Sequence, residues 1–164
     1  MQEVVLIPDT IMNGEREYEC AQSLIIDIAE NELLIFDQDL SHGGFDSLAR
    51  YESVRKFLSQ NPNSKLTIIL HDAGYFTAYC PRLNELFKIY SHKMSIMLTN
   101  DHAKVAKDCF IIADNKHYVK RIHIDQARFR YALNDNNSAA SLQLRFNELL
   151  DETAYTLAPT QTGL

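Results

Sequence analysis

Residues 109–121, CFIIADNKHYVKR, combine an apolar run, a turn and an alternating segment. This stretch opens with Cys109–Ala113, an apolar run that is typical of a strand buried on both faces. Asp114 and Asn115 are turn residues, and His117–Arg121 alternates in the manner of a hairpin's outer strand. The stretch therefore predicts a buried strand that turns directly into an antiparallel partner.

Upstream of this hairpin, apolar strands alternate with amphipathic helices. The predicted strands are Leu33–Phe36, Leu66–Leu70 and Met94–Leu98. Helical spacing of apolar residues predicts helices over Tyr18–Ile28, Phe45–Leu58, Pro81–Tyr90 and Ser138–Glu152. Strands that alternate with helices favour parallel pairing through right-handed crossovers. The expected fold is α/β, with a mixed, mostly parallel sheet, helices on both faces, and a C-terminal hairpin plus helix.

The domain organisation follows from the absence of repeats, low-complexity tracts and Pro/Gly/Ser-rich linkers in the sequence. We expect a single domain over residues 1–164, with an ordered core from about residue 18 to residue 152. Central strands that are covered on both faces supply the core. The predicted core residues are Leu34, Ile35, Phe36, Ile68, Ile69, Ile96, Phe110, Ile111 and Ile112.

The charge, hydropathy and cysteine content of the chain exclude several classes of protein. Sixteen Lys plus Arg against 22 Asp plus Glu give a formal charge of -6 over 164 residues, so the overall field repels polyanions. No apolar run is long enough for a membrane helix, and the N-terminus lacks a signal-peptide pattern, which predicts a cytoplasmic protein. The three cysteines, without a CxxC pair, indicate neither a disulfide framework nor a cysteine zinc site.

Polar side chains follow the predicted strands, where α/β proteins usually bind ligands. His71 and Asp72 could ligate a metal, but no further ligands occur at the required spacing. GxGxxG, Walker-type, GxSxG and HExxH motifs are absent from the sequence. We therefore predict no metal site and no cofactor.

A local group of basic residues lies in and after the predicted hairpin. Its members are Lys116, Lys120, Arg121, Arg128 and Arg130, with aromatic and His side chains interleaved. Such a cluster can bind a phosphate-bearing ligand, either a nucleic acid or a lipid head group. The alternative is a solvated hairpin surface, since an acidic chain must carry its basic residues somewhere.

The order of elements, with FIIAD-NKHYVKR and the closing LRFNELLDET, resembles one half of the phospholipase D superfamily. The superfamily motif is HxKxxxxD, in which the histidine attacks phosphorus and the lysine binds the phosphoryl oxygens. His102 and Lys104 form an HxK pair. With this pair, the motif requires an aspartate at position 109, but that residue is Cys109. Asp108 comes one place too early to fill the position.

A second register places the motif on the predicted strand. Counting back from Asp114 puts Lys107 at the histidine position and Cys109 at the lysine position. The GSxN segment that follows in active enzymes is missing as well. The chain therefore resembles bacterial phospholipase-D-like proteins of uncharacterised function that keep the scaffold and lose the catalytic residues.

This resemblance implies that the chain is a binding or assembly module and has no catalytic residues. Active members place two halves face to face, so a chain with one half is expected to form a two-fold homodimer. The alternative is a phosphodiesterase or nuclease in which His102 and Lys104 of two subunits rebuild the site across the dimer. An unrelated small α/β domain is a third interpretation.

Overall fold

Eight strands form one mixed sheet in the computed structural model, which describes residues 3–159. In chain order they are β1 (Met12–Asn13), β2 (Glu32–Asp37), β3 (Lys65–Leu70), β4 (Met94–Thr99), β5 (Cys109–Ala113), β6 (His117–His123), β7 (Gln126–Ala132) and β8 (Thr153–Thr156). Their order across the sheet is β1-β7-β6-β5-β2-β3-β4-β8. The strands and the hairpin expected from the sequence are all present, and the mixed α/β class is confirmed.

The parallel part of the sheet is smaller than expected. Within the described residues, β2–β3 and β3–β4 are parallel, and the other five pairings are antiparallel. The reason is that β5 pairs with β2, with Ile111 opposite Ile35, instead of continuing beyond β4. The hairpin thus extends the centre of the sheet in the antiparallel direction.

Helices cover both faces of this sheet. They are α1 (Glu15–Ile28), α2 (Leu48–Ser59), α3 (Gly74–Tyr79), α4 (Pro81–Ile89) and α5 (Asn136–Leu150), with a 3-10 turn at Ala103–Val105. Pro81 occupies the first turn of α4, where its missing N–H needs no partner. The Ser47 hydroxyl accepts a hydrogen bond from the backbone N–H of Arg50 and thereby caps α2.

The core has two layers, one on each side of the sheet. Side chains such as Ile35 and Ile111 pack towards α1, α2 and α4. Their strand neighbours Phe36 and Phe110 point the other way and pack against α5. All nine predicted core residues are buried, which confirms the expectation of continuous apolar strands covered on both faces.

Candidate functional site

Asp114 lies at the end of β5 and has a structural role. It and Asn115 adopt positive φ angles of 54° and 56°, as a tight turn requires. The Asp114 carboxylate accepts hydrogen bonds from the backbone N–H groups of residues 30, 31 and 32 at 2.8–2.9 Å. These bonds tie the hairpin to the connection between α1 and β2.

Cys109, at the lysine position of the motif register, begins β5 and has no exposed surface. Its thiol donates a hydrogen bond to the buried carboxylate of Asp37, which also accepts one from the backbone N–H of Leu40 at 2.6 Å. Burial raises the pKa of the Cys109 thiol and the pKa of Asp37. The residue that the sequence register aligns with a phosphate-binding lysine is therefore an inaccessible thiol.

Lys107, at the histidine position, is exposed on the segment before β5. It makes no side-chain hydrogen bond or ion pair within residues 3–159. A lysine side chain lacks the imidazole ring that the motif uses as its nucleophile. In this register, the histidine position holds a lysine and the lysine position holds a cysteine, so neither residue is of the type that the motif requires.

Arg121 is a correction to the predicted anion-binding group, because its side chain is 1% exposed. Its guanidinium group donates two hydrogen bonds to the carboxylate of Glu15, at 2.6 and 3.1 Å, and one to the carbonyl of Ile124 at 2.7 Å. Its guanidinium carbon lies 5.1 Å from the ring centroid of Tyr18. The hydrogen bonds from Arg121 lower the pKa of Glu15.

The other basic residues of the predicted group separate into two locations. Lys116 is exposed at the hairpin turn. Lys120 lies directly opposite Arg130 in the β6–β7 pairing, and Arg128 lies two residues further along β7. Strand alternation turns these three side chains towards the face that carries α5. The structure therefore keeps Lys120, Arg128 and Arg130 together and excludes Arg121.

A groove of about 940 Å³ opens between α5 and the β6–β7 part of the sheet. We call it the α5 groove. It is lined by Ile11, His102, Ala103, Val105, Ala106, Lys107, Asp108, Tyr118, Lys120, Ile122, Arg130, Ser138, Ser141, Leu142, Arg145, Glu148, Leu149 and Glu152. Arg145 binds Asp108 through two hydrogen bonds at 2.6 and 2.9 Å, which fixes α5 to the segment before β5. Sequence reasoning missed Lys107 and Arg145 as groove residues, because only the tertiary fold brings them beside β6.

His102 and Lys104 do not converge on one cavity. His102 lines the α5 groove with an 83% exposed side chain, and its Nδ1 lies 2.9 Å from Glu152 Oε2. This hydrogen bond raises the pKa of His102. Lys104 donates to the carbonyl of Thr99 at 3.0 Å and lines a different cavity of about 830 Å³. Within one chain, the HxK pair therefore does not face a common ligand.

His71, a possible metal ligand in the sequence, is engaged in hydrogen bonds at the carboxyl end of β3. One ring nitrogen lies 2.7 Å from Thr99 Oγ1 and the other 2.7 Å from the carbonyl of Ala106. Burial lowers the pKa of His71. Residues 3–159 contain no group of three or more His, Cys, Asp or Glu side chains that could hold a metal ion. The same part of the chain has no helix that is long and apolar enough to cross a bilayer.

A family model described as a domain of unknown function (DUF7931) matches residues 15–156. No curated protein matches the sequence. Among solved structures, TrmBL2, an archaeal chromatin protein with a novel mode of DNA binding, superposes with a TM-score of 0.67 at 13% identity. That superposition covers 92% of this chain and 55% of TrmBL2.

Two phospholipase D-related structures are also similar. Nuc from Salmonella typhimurium, a phospholipase D family member, has a TM-score of 0.63 at 10% identity, covering 90% of this chain and 97% of Nuc. NucT from Helicobacter pylori has a TM-score of 0.57 at 11% identity, covering 88% of this chain and 98% of NucT. These likenesses show a phospholipase-D-like fold.

Proposed function

The chain belongs to a family described as a domain of unknown function (DUF7931), matched over residues 15–156, and we propose a function from its site. The chain is a phospholipase-D-like half that binds an anionic ligand without hydrolysing it. Cys109 carries this proposal. A thiol without exposed surface, bound to Asp37, stands where the motif needs a phosphate-binding lysine.

The surroundings of Cys109 support the loss of catalysis. Arg121, its partner in the β5–β6 pairing, is committed to Glu15. The side chain of Gln38 donates to the carbonyls of Ala106 and Asp108, which closes the loop after β2 onto the segment before β5. Catalytic groups need a pocket in which they can contact substrate. Here Cys109 is buried, and Arg121 beside it is bound to Glu15.

The alternative function, a phosphodiesterase based on His102 and Lys104, needs both side chains on one phosphoryl group. Their contacts with Glu152 and Thr99 direct them to different cavities, which favours the non-catalytic interpretation. The likeness to TrmBL2, described as a DNA-binding chromatin protein, supports the idea that a fold of this kind can serve binding.

We expect plasmid DNA and phosphatidylcholine to remain intact during prolonged incubation with the purified protein, because His102 and Lys104 line different cavities. Gel electrophoresis and thin-layer chromatography measure the two reactions. The Lys104→Ala variant, prepared identically, controls for contaminating enzymes. Cleavage by the wild-type protein that this variant lacks would contradict the proposal.

We also expect a homodimer, since superfamily members with one half assemble face to face. Light scattering at micromolar protein concentration should give twice the chain mass of 18.8 kDa. A mass of 18.8 kDa that persists as the concentration rises would contradict the expected dimer.

A further inference from the structure

The floor of the α5 groove carries positive charge that the rest of the described chain does not neutralise. Lys107 and Lys120 make no side-chain hydrogen bond or ion pair within residues 3–159. Among the same residues, the ion pair of Arg130 is a long contact of 4.0 Å with the exposed carboxylate of Asp9. An acidic chain thus keeps a local group of available cations on one side of a concave surface.

Exposed aliphatic side chains stand beside these cations. Ile11, Val105 and Ile122 line the α5 groove and are 52%, 78% and 45% exposed. Apolar side chains that are exposed together and surrounded by polar ones are typical of protein interaction sites. The ligand is therefore expected to present both negative charge and aliphatic surface.

The opposite wall of the groove is acidic. Glu148 projects from α5 and Glu152 from the segment directly after it, and the cation that α5 itself contributes, Arg145, is paired with Asp108. Carboxylates on one wall repel a uniformly charged phosphate chain but accept hydrogen bonds from the N–H groups of a peptide. The two walls therefore suit a ligand that directs N–H donors towards the carboxylates on the α5 side and anionic groups towards the cations on the sheet side.

We propose that the α5 groove binds an acidic peptide segment with aliphatic side chains, supplied by a partner protein. The carboxylates of the segment pair with Lys107, Lys120 and Arg130, and its aliphatic side chains pack on Val105 and Ile122. The inference rests on the proposed function, because it assigns a ligand class to a module that binds without hydrolysis.

The groove lacks the features that favour the other anionic macromolecules. Single-stranded nucleic acids stack their bases on aromatic side chains, whereas Tyr118, the Tyr of the described lining, is only 5% exposed. A bilayer surface requires a protruding apolar surface, whereas these aliphatic side chains line a concavity. An extended or helical peptide is the ligand that enters such a groove.

The test measures fluorescence anisotropy of a labelled, alternating Asp/Leu peptide with the full chain. We expect saturable binding that weakens with added salt, because charge pairs contribute to it. An Asn/Leu peptide and an Asp/Ser peptide should each bind at least about ten-fold more weakly. Labelled oligothymidine and vesicles of phosphatidylglycerol and phosphatidylcholine serve as competing ligand classes.

Variants locate the site. Lys120→Glu with Arg130→Glu should weaken binding of the Asp/Leu peptide by at least about ten-fold, and so should the exposed single change Lys107→Glu if the double variant does not fold. Lys56→Glu with Lys65→Glu makes the same change in net charge at exposed residues of α2 and β3 and should leave binding unchanged.

Three results would overturn the inference: no saturable binding of the Asp/Leu peptide, equal binding by the groove variants, or tighter binding of oligothymidine or vesicles that the groove variants lose. None of them involves hydrolysis. A Lys104-dependent cleavage activity would instead overturn the proposed function, so the two failures are distinguishable.

Discussion

Replacing Arg121 with alanine is expected to lower the free energy of unfolding by about 2–4 kcal/mol, because a large buried side chain and its hydrogen bonds are lost, although Glu15 itself is half exposed. The side chain is 1% exposed and donates to Glu15 and to the carbonyl of Ile124. Alanine leaves that carbonyl without its donor and opens a cavity beside Tyr18. Denaturant unfolding at fixed protein concentration measures the change.

Arg128→Ala is the matched control for this prediction. Arg128 is exposed on the neighbouring strand and makes no ion pair within residues 3–159, so its loss should change stability by no more than about 0.5 kcal/mol. A loss below about 1 kcal/mol for Arg121→Ala would show that the buried guanidinium contributes little to the fold.

Ile111→Ala is expected to destabilise the protein by about 2–5 kcal/mol, because the truncation leaves a cavity in a packed core. Ile111 is 1% exposed and lies between Ile35 of β2 and Val119 of β6. The same unfolding experiment measures this effect.

Ile122→Ala removes the same atoms from a residue that is 45% exposed and serves as the control. Its effect should be clearly smaller, since less apolar surface returns to water. Equal effects of the two substitutions, or a loss below about 1 kcal/mol for Ile111→Ala, would contradict the central position of β5.

The elements that could be predicted from the sequence are those long enough to show a clear pattern of apolar residues. The apolar runs of β2 to β5 and the spacing of α1, α2, α4 and α5 all correspond to observed elements. Short elements such as Met12–Asn13, α3 and Thr153–Thr156 carry no such pattern and were missed. The pairing of β5 with β2 depends on contacts distant in sequence, which is why the extent of the parallel sheet was overestimated.

Only part of the candidate site could be predicted from the sequence. Sequence proximity grouped Lys120 with Arg121, although side chains of successive strand residues point to opposite faces. Strand alternation alone could have separated them, and the structure does so: Lys120 enters the α5 groove, whereas Arg121 is buried against Glu15. Arg145 reaches the groove from α5, and no local pattern indicates that contact.

We propose that this phospholipase-D-like half does not hydrolyse phosphodiesters. The most direct measurement is the rate of p-nitrophenol release from bis(p-nitrophenyl) phosphate by the wild-type protein and by His102→Ala, purified in parallel and assayed at the concentration used for light scattering. The two proteins are expected to release p-nitrophenol at equal rates, at the level of the buffer. Release by the wild-type protein that His102→Ala reduces by about ten-fold or more, equivalent to roughly 1.4 kcal/mol or more of transition-state stabilisation, would contradict it.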